Sequence, residues 1–322
     1  MQEDSLYRLL AAKIRKNLQL CRVDTKKLQE IRLRIHRPVL LRYDGREYVL
    51  TGRGSLSDST DHAYIVSEED LRETLACVSG YSLYAFEQEL RNGFITVSGG
   101  HRVGIAGRTV MNGDTVQCIR PISFVNIRLA HQVIGCADDL IPFITEGTDV
   151  CNTLIISPPG CGKTTMLRDL IRQISDGTEQ IPGKTVGLID ERSEIAGCYN
   201  GVPQNDIGIR TDVLDCCRKS AGMTMLLRSM APQVMAVDEI GSPEDEAALK
   251  GVFRCGCRIF ATVHGNSLDD IQKKPFFGKL MEERIFERFV VLQDDGKERE
   301  TEVFNGAGTL LFRKPARAEK ER

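Results

Sequence analysis

The chain has no tryptophan, and its aromatic share is only 6%. Few rings are available to stack on unpaired bases, which argues against a single-strand binder built on aromatic platforms. Neither charge sign is in excess: 43 Lys+Arg stand against 45 Asp+Glu, a net charge of −2. Whole-chain attraction to a polyanion is therefore lacking. No stretch reaches the roughly 18 uncharged apolar residues that a spanning helix needs. The acidic start, Met1-Gln2-Glu3-Asp4, is unlike a secretory leader. A cytoplasmic protein with no direct membrane insertion is expected. The 11 cysteines include no Cys-x-x-Cys pair: Cys216 and Cys217 adjoin, and Cys255-Gly256-Cys257 leads into an apolar run. His36, His62, His101, His131 and His264 keep no ligand spacing with them. Reduced, mostly buried thiols are expected rather than zinc.

What is present is an ordinary globular composition, 322 residues with 41% hydrophobic and 27% charged side chains, enough for about two domains. The most informative stretch is Asn152–Ile174. Leu154, Ile155 and Ile156 form a short apolar run, as in a buried strand. Ser157-Pro158-Pro159-Gly160-Cys161-Gly162-Lys163-Thr164-Thr165 follows, and then Met166, Leu167, Leu170, Ile171 and Ile174 recur at helical period. Strand, glycine loop with Gly-Lys-Thr, and helix is the context of a P-loop. Gly160 and Gly162 let backbone N–H groups turn around phosphate oxygens. The following helix points its positive end there. Lys163 supplies a cation for the β- and γ-phosphates, and Thr164 a hydroxyl for Mg²⁺. The strict pattern has glycine where this chain has Ser157, a small residue the loop is expected to tolerate. A ligand-free glycine turn is the alternative.

Before this stretch the chain reads as an α+β domain. A helix is expected over residues 5–20, with Leu6, Leu9, Leu10, Ile14 and Leu18 on one side, then a strand over 31–35. Val39–Tyr43 and Arg46–Leu50 flank the hairpin turn Asp44-Gly45. Gly52–His62 reads as a mobile loop. Ser67-Glu68-Glu69-Asp70 reads as a capping box opening a helix through Val78. A second short helix is expected over Leu83–Arg91, then strands at Phe94–Val97, Arg102–Met111, Thr115–Ile119 and Ser123–Leu129. The first 50 residues hold 12 Lys+Arg and 6 Asp+Glu, a surplus that could touch nucleic acid or acidic lipid. A solvated or subunit-facing surface fits better, since no aromatics interleave.

After a linking helix at Ala137–Glu146, strand and helix alternate, hence a mainly parallel sheet. Strands are expected at 153–157, 185–190, 233–238 and 258–263, with a β-meander at Phe289–Gln293, Glu302–Phe304 and Thr309–Phe312. The meander's turns fall at Asp294-Asp295-Gly296 and Asn305-Gly306. Carboxyl ends of parallel strands share one crevice. One strand delivers Asp238 and Glu239, suited to holding Mg²⁺ and to orienting water. Another delivers Asp190-Glu191-Arg192-Ser193-Glu194, and a third His264-Gly265-Asn266. An acidic helix cap, a solvated charged loop and a structural histidine are the respective alternatives. Ser242-Pro243-Glu244-Asp245 reads as a helix start.

These residues resemble the ATPases of type II and type IV secretion and pilus machines. That family carries a Walker A loop, an acidic "Asp box", a Walker B strand and a "His box", matched here by Gly160–Thr165, Asp190–Glu194, Val237–Ile240 and Thr262–Asn266. The match is good over roughly residues 125–270, and the closest likeness is to a sporulation member from endospore-forming bacteria. The resemblance implies a RecA-like P-loop NTPase domain over 135–312 and a smaller α+β N-terminal domain over 1–134; the residues of 313–322 themselves read as a charged, disordered tail. It implies ATP as substrate, Mg²⁺, and a homo-oligomer, as a hexamer. It further implies docking on a membrane-embedded secretion-like complex between mother cell and forespore. The catalytic set would be Lys163, Glu191, Glu239 and His264, with Thr164 and Asp238 on the metal. Ser157 to Thr165 and Asp190 would line the nucleotide. In that family arginines of the amino-terminal domain reach the nucleotide; Arg102 and Arg128 match best, then Arg108 and Arg120. The family usually has a small residue where this chain has Asp238. Adenine follows from the likeness, as no Asn-Lys-x-Asp follows the P-loop. The rival reading is a nucleic-acid-binding RecA-like ATPase or translocase, since the fold serves both; a nucleotide-gated platform without turnover is a third.

Overall fold

The structure is a computed structural model that describes residues 6–80, 93–294 and 299–314. The expected helix at Leu83–Arg91 and most of the tail lie outside the described residues. The chain falls into two compact units, one of residues up to His131 together with Gly197–Gln204, the other of Gln132–Ala196 and everything from Asn205 onward.

The first unit is a seven-stranded antiparallel sheet with helices on one face. Its strands are β1 (Leu28–Arg34), β2 (Leu40–Tyr43), β3 (Arg46–Leu50), β4 (Leu56–Ser57), β5 (Phe94–Thr96), β6 (Arg102–Asn112) and β7 (Thr115–Arg128), in the order β4-β3-β2-β1-β7-β6-β5. Alternation along β1 sends Ile31 and Leu33 into the core with Val103, Ile105, Val125 and Ile127. Ile14 and Leu18 of α1 (Ala12–Leu20) and Leu71 and Leu75 of α2 (Glu68–Val78) complete that core. The capping box at Ser67 is formed: its Oγ accepts from the Asp70 N–H while Asp70 accepts from the Ser67 N–H.

Three expectations need correction. The single helix over 5–20 is interrupted at Ala11, whose N–H donates to Thr74 Oγ1 at 3.1 Å instead of continuing a helical ladder. The loop over 52–62 contains β4, and Gly54 is wedged against α1, where an added Cβ would come 2.4 Å from Leu20 Cβ. The two strands expected over 115–129 are one, β7, which accommodates Pro121 through bulges opposite Gly107.

The second unit is built on an eight-stranded sheet. Its own strands are preceded by a small hairpin, β8 (Thr145–Glu146) and β9 (Asp149–Val150). Then come β10 (Thr153–Ser157), β11 (Val186–Asp190), β12 (Thr211–Asp215), β13 (Val234–Val237) and β14 (Arg258–His264). The last three are β15 (Arg288–Asp294), β16 (Arg299–Asn305) and β17 (Leu310–Lys314). The order is β12-β11-β13-β14-β10-β15-β16-β17, parallel as far as β15 and antiparallel beyond it. Every residue of β10, β11 and β13 is buried, as a sheet covered on both faces requires.

The linking helix expected over 137–146 is instead a 3₁₀ turn at Asp138–Leu140 and a single helical turn, α3 (Ile141–Ile144), running into β8. Pro142 has no N–H to give inside such a helix, and β-branched Ile144 and Thr145 favour extension. Strand β12 was not expected; it is a half-exposed edge strand of mixed polarity. Arg313 and Lys314 belong to β17 rather than to a tail.

The remaining helices are α4 (Lys163–Asp176), α5 (Lys219–Ser229), α6 (Pro243–Arg254), α7 (Leu268–Gln272) and α8 (Pro275–Glu282). At the start of α6, Ser242 and Asp245 form a reciprocal capping box ahead of Pro243. Ser242→Ala should lower the stability of this unit by about 1 kcal/mol, read as an earlier urea midpoint with unchanged slope.

Candidate functional site

Strand β10 lies between β14 and β15, so the loop leaving it sits over the middle of the carboxyl edge. Ser157 closes the strand fully buried, its Oγ donating to the Pro158 carbonyl at 2.8 Å. A buried position with an inward hydroxyl explains why serine serves there. The loop then runs through Pro159, Gly160 and Cys161 to Gly162. Gly160 and Gly162 have φ of +82° and +87°, and a Cβ on either would meet nothing within 4 Å. The glycines thus answer a backbone requirement and border a hollow. Gly162 caps α4, whose first residue is Lys163.

The cation does not stand alone. Lys163 Nζ lies 3.3 Å from Glu239 Oε1 and 3.5 Å from Asp238 Oδ1. Thr164 Oγ1 donates to Asp238 Oδ2 at 3.1 Å. The register pairs Val237 with Ala261, which brings Thr262 beside the two acids. Thr262 Oγ1 donates to Asp238 Oδ1 and accepts from the Glu239 N–H at 2.8 Å. Glu239 takes φ of +54°, unusual for a residue with a Cβ. His264 Nε2 approaches Glu239 Oε1 at 2.9 Å, and Arg192 Nη1 reaches Glu239 Oε2 at 2.8 Å. Burial alone would raise the Glu239 carboxyl; Lys163 and Arg192 outweigh it and hold the group below its ordinary range.

The acidic box after β11 is a folded loop. Asp190 is 2% exposed, and its carboxylate accepts from the N–H groups of Glu194, Ile195 and Ala196 at 2.8–3.0 Å. Arg168 of α4 donates from the other side to the carbonyls of Glu194 and Ile195. Asp190 therefore organises its loop, with its oxygens turned onto that loop's backbone. Burial pushes it up to about 6, against those N–H donors, with Asp215 opposite adding to the rise. Glu191 is tied to Lys219 at the start of α5. Asp190, Glu191, Arg192, Lys219, Asp238 and Glu239 line one small cleft.

Thr164 and Asp238 offer a hydroxyl and a carboxylate side by side. Such a hard-oxygen set fits Mg²⁺, which keeps most of its shell as water and phosphate oxygens. The open cradle over Gly160 and Gly162, next to a buried ammonium, fits a phosphate chain. Arg102 and Arg128 belong to the first unit, directly opposite each other on β6 and β7, with Arg102 over the Phe94 ring at 3.7 Å. Arg192, Lys219, Thr262 and Arg168 were not singled out as site residues from sequence. Their roles depend on strand register and loop folding; only the positions of Arg192 within the acidic box and of Thr262 at the start of the His box hint at one.

A family profile described as "Sporulation stage III, protein AA" matches residues 1–311. The stage III sporulation protein AA of Bacillus subtilis (strain 168) is 41% identical over 287 residues, 89% of each chain. A protein of Porphyra purpurea described as uncharacterized protein ycf45 is 30% identical over 174 residues, 53% of this chain and 29% of its own. Among solved structures, the pilus retraction motor PilT with bound ADP superposes with a TM-score of 0.58 at 16% identity, over 93% of this chain and 82% of that one. The Legionella pneumophila ATPase DotB gives a TM-score of 0.57 at 14% identity, over 88% and 78%. The fold is thus shared with PilT and DotB, RecA-like and preceded by a smaller α+β domain.

The raised Asp190 carries a pH signature. It binds its proton more tightly folded than unfolded, so its stabilising effect is complete below its ordinary value of 3.8 and is lost as pH rises through about 6. Stability against urea should fall between about pH 4 and 6, and Asp190→Asn should flatten that segment. An unchanged slope in the variant would assign the dependence to another group.

Proposed function

The chain belongs to the sporulation stage III, protein AA family, and we propose that it is a Mg²⁺-dependent ATPase whose turnover drives a secretion-like membrane complex during sporulation. The single observation that carries this reading is the convergence of Lys163, Thr164, Asp238, Glu239 and His264 at the mouth of an open glycine loop. The fold shared with pilus and secretion motors and the identity to a sporulation protein support it. Among the described residues no helix is long and apolar enough to cross a membrane. A peripheral cytoplasmic position, with the membrane-embedded complex as partner, suits that. A homohexamer is the assembly this reading implies, with Arg102 and Arg128 of the first unit as the arginines that approach the nucleotide.

In this reading the N–H groups from Gly160 to Thr165 surround the β-phosphate. Lys163 leaves the two acids for the β- and γ-phosphates, whose oxygens replace the carboxylates as its counter-charge. Mg²⁺, held by Thr164 and Asp238, supplies neutralisation of phosphate charge. Glu239 accepts the proton of the attacking water as its oxygen adds to the γ-phosphorus and the bond to the leaving phosphate oxygen breaks. His264, at the end of β14, donates to the γ-phosphate. Glu191, held by Lys219, borders the cleft from the neighbouring strand. Fixed donors aimed at developing charge provide most of the acceleration in such reactions.

The test is steady-state ATP hydrolysis with Mg²⁺ across a range of protein concentrations. Lys163→Ala should abolish turnover. Glu239→Gln should keep nucleotide binding and lower kcat by at least about 100-fold. Specific activity should rise with concentration as the ring assembles. Equal turnover in Glu239→Gln removes that residue from its role, and stimulation by polynucleotide that salt abolishes would favour the translocase reading.

A further inference from the structure

The two oxygens of Glu239 are divided between two kinds of partner. Oε1 faces the groups that ATP would draw away, Lys163 at 3.3 Å and His264 at 2.9 Å. Oε2 faces Arg192, at 2.8 Å. Arg192 does not belong to the phosphate loop, the metal pair or the histidine strand. It stands two residues past the end of β11, and β11 pairs directly with β13, Ile189 beside Val237. The segments leaving both strands therefore emerge side by side at the same edge of the sheet.

The segment carrying Arg192 is fixed at both ends. On one side Asp190 continues the strand; on the other, the N–H groups of Glu194, Ile195 and Ala196 are bound to the Asp190 carboxylate and the Glu194 and Ile195 carbonyls to Arg168. Between them Ser193 turns back with φ of +53°. The Arg192 side chain is 60% exposed, yet its guanidinium ends on the carboxylate of a residue only 19% exposed. An exposed ion pair of this type contributes little to stability. Its effect is on where the carboxylate points.

We propose that Arg192 is the positioning residue of the base Glu239. It holds Oε2 throughout the cycle and leaves Oε1 for the attacking water once Lys163 and His264 turn to the phosphates. This rests on the ATPase reading above. The guanidinium presents a planar, directional donor. A neighbouring cation weakens a base, but a carboxylate free to rotate loses its alignment with the water, and misplacement near 1 Å can cost about 100-fold. Alignment therefore outweighs basicity, and removal of Arg192 lowers turnover. The Glu239 backbone is already held by Thr262, so the side chain is what Arg192 fixes.

The experiment uses the full chain with Mg²⁺ and ATP, and a fluorescent ATP analogue for binding. Arg192→Ala should reduce kcat by about tenfold or more, with KM and analogue affinity within about twofold, and Arg192→Lys should recover part of the loss. In a Glu239→Gln background, Arg192→Ala should add almost nothing, because residues acting as one unit are not additive; a purely structural role would subtract from both backgrounds alike. An unchanged kcat in Arg192→Ala overturns the inference, as does a raised kcat, which would make the contact a brake. A raised KM with intact kcat, which would place Arg192 on the phosphates, overturns it too. Absence of hydrolysis in the unaltered protein overturns the ATPase reading and the inference together, whereas hydrolysis in the unaltered protein with an undiminished rate in Arg192→Ala overturns the inference alone.

Discussion

A lysine ammonium with 6% of its side chain exposed, between two carboxylates at 3.3 and 3.5 Å, is the arrangement on which the second unit depends. A charge that deep is tolerated only when paired. The chain must therefore bring the end of β10 to the end of β13 at salt-bridge distance, although β14 lies between them. It does so by extending Lys163 from the first turn of α4 and by bending the chain at Glu239 into a left-handed conformation pinned by Thr262. The parallel order of the strands, the burial of β10, β11 and β13 on both faces and the glycine loop all serve that meeting.

Much of this was legible from local signals. The fully buried runs, the glycine loop, the helical period after Lys163 and the capping boxes at Ser67 and Ser242 each depend on a few neighbouring residues. The elements they announce are present with nearly the expected bounds. What could not be read depends on partners distant in sequence. Ala11 breaks a helix because Thr74 takes its N–H. Strand β12 lacks an apolar face of its own and exists through its pairing with β11. Asp190 shows the same limit within the site: an acid at a strand end reads as ligand-facing until the folding of its own loop is known.

The first unit manages its arginines by similar means. Arg102 and Arg128 stand directly opposite on one face, a pairing of like charges that is unfavourable in isolation. Glu30 sits opposite Arg128 from the other side, and Arg102 lies over Phe94. Burial would raise the Glu30 carboxyl, but Asn126, Arg32 and Arg128 keep it ionised below its ordinary range. Glu30 thus meets Arg128 through a cross-strand register that sequence alone could not align.

The assignment of Gly197–Gln204 to the first unit means that the backbone passes from one unit to the other three times. At the neck of that excursion the Asn205 N–H donates to the Ala196 carbonyl at 3.0 Å, and its side chain to the Ile195 carbonyl at 2.8 Å. The excursion begins directly behind the loop that Asp190 and Arg168 hold. No single cut of the polypeptide therefore yields either unit whole. An exchange at a single crossover between residues 131 and 132 would leave Gly197–Gln204 behind with the other parent's sequence.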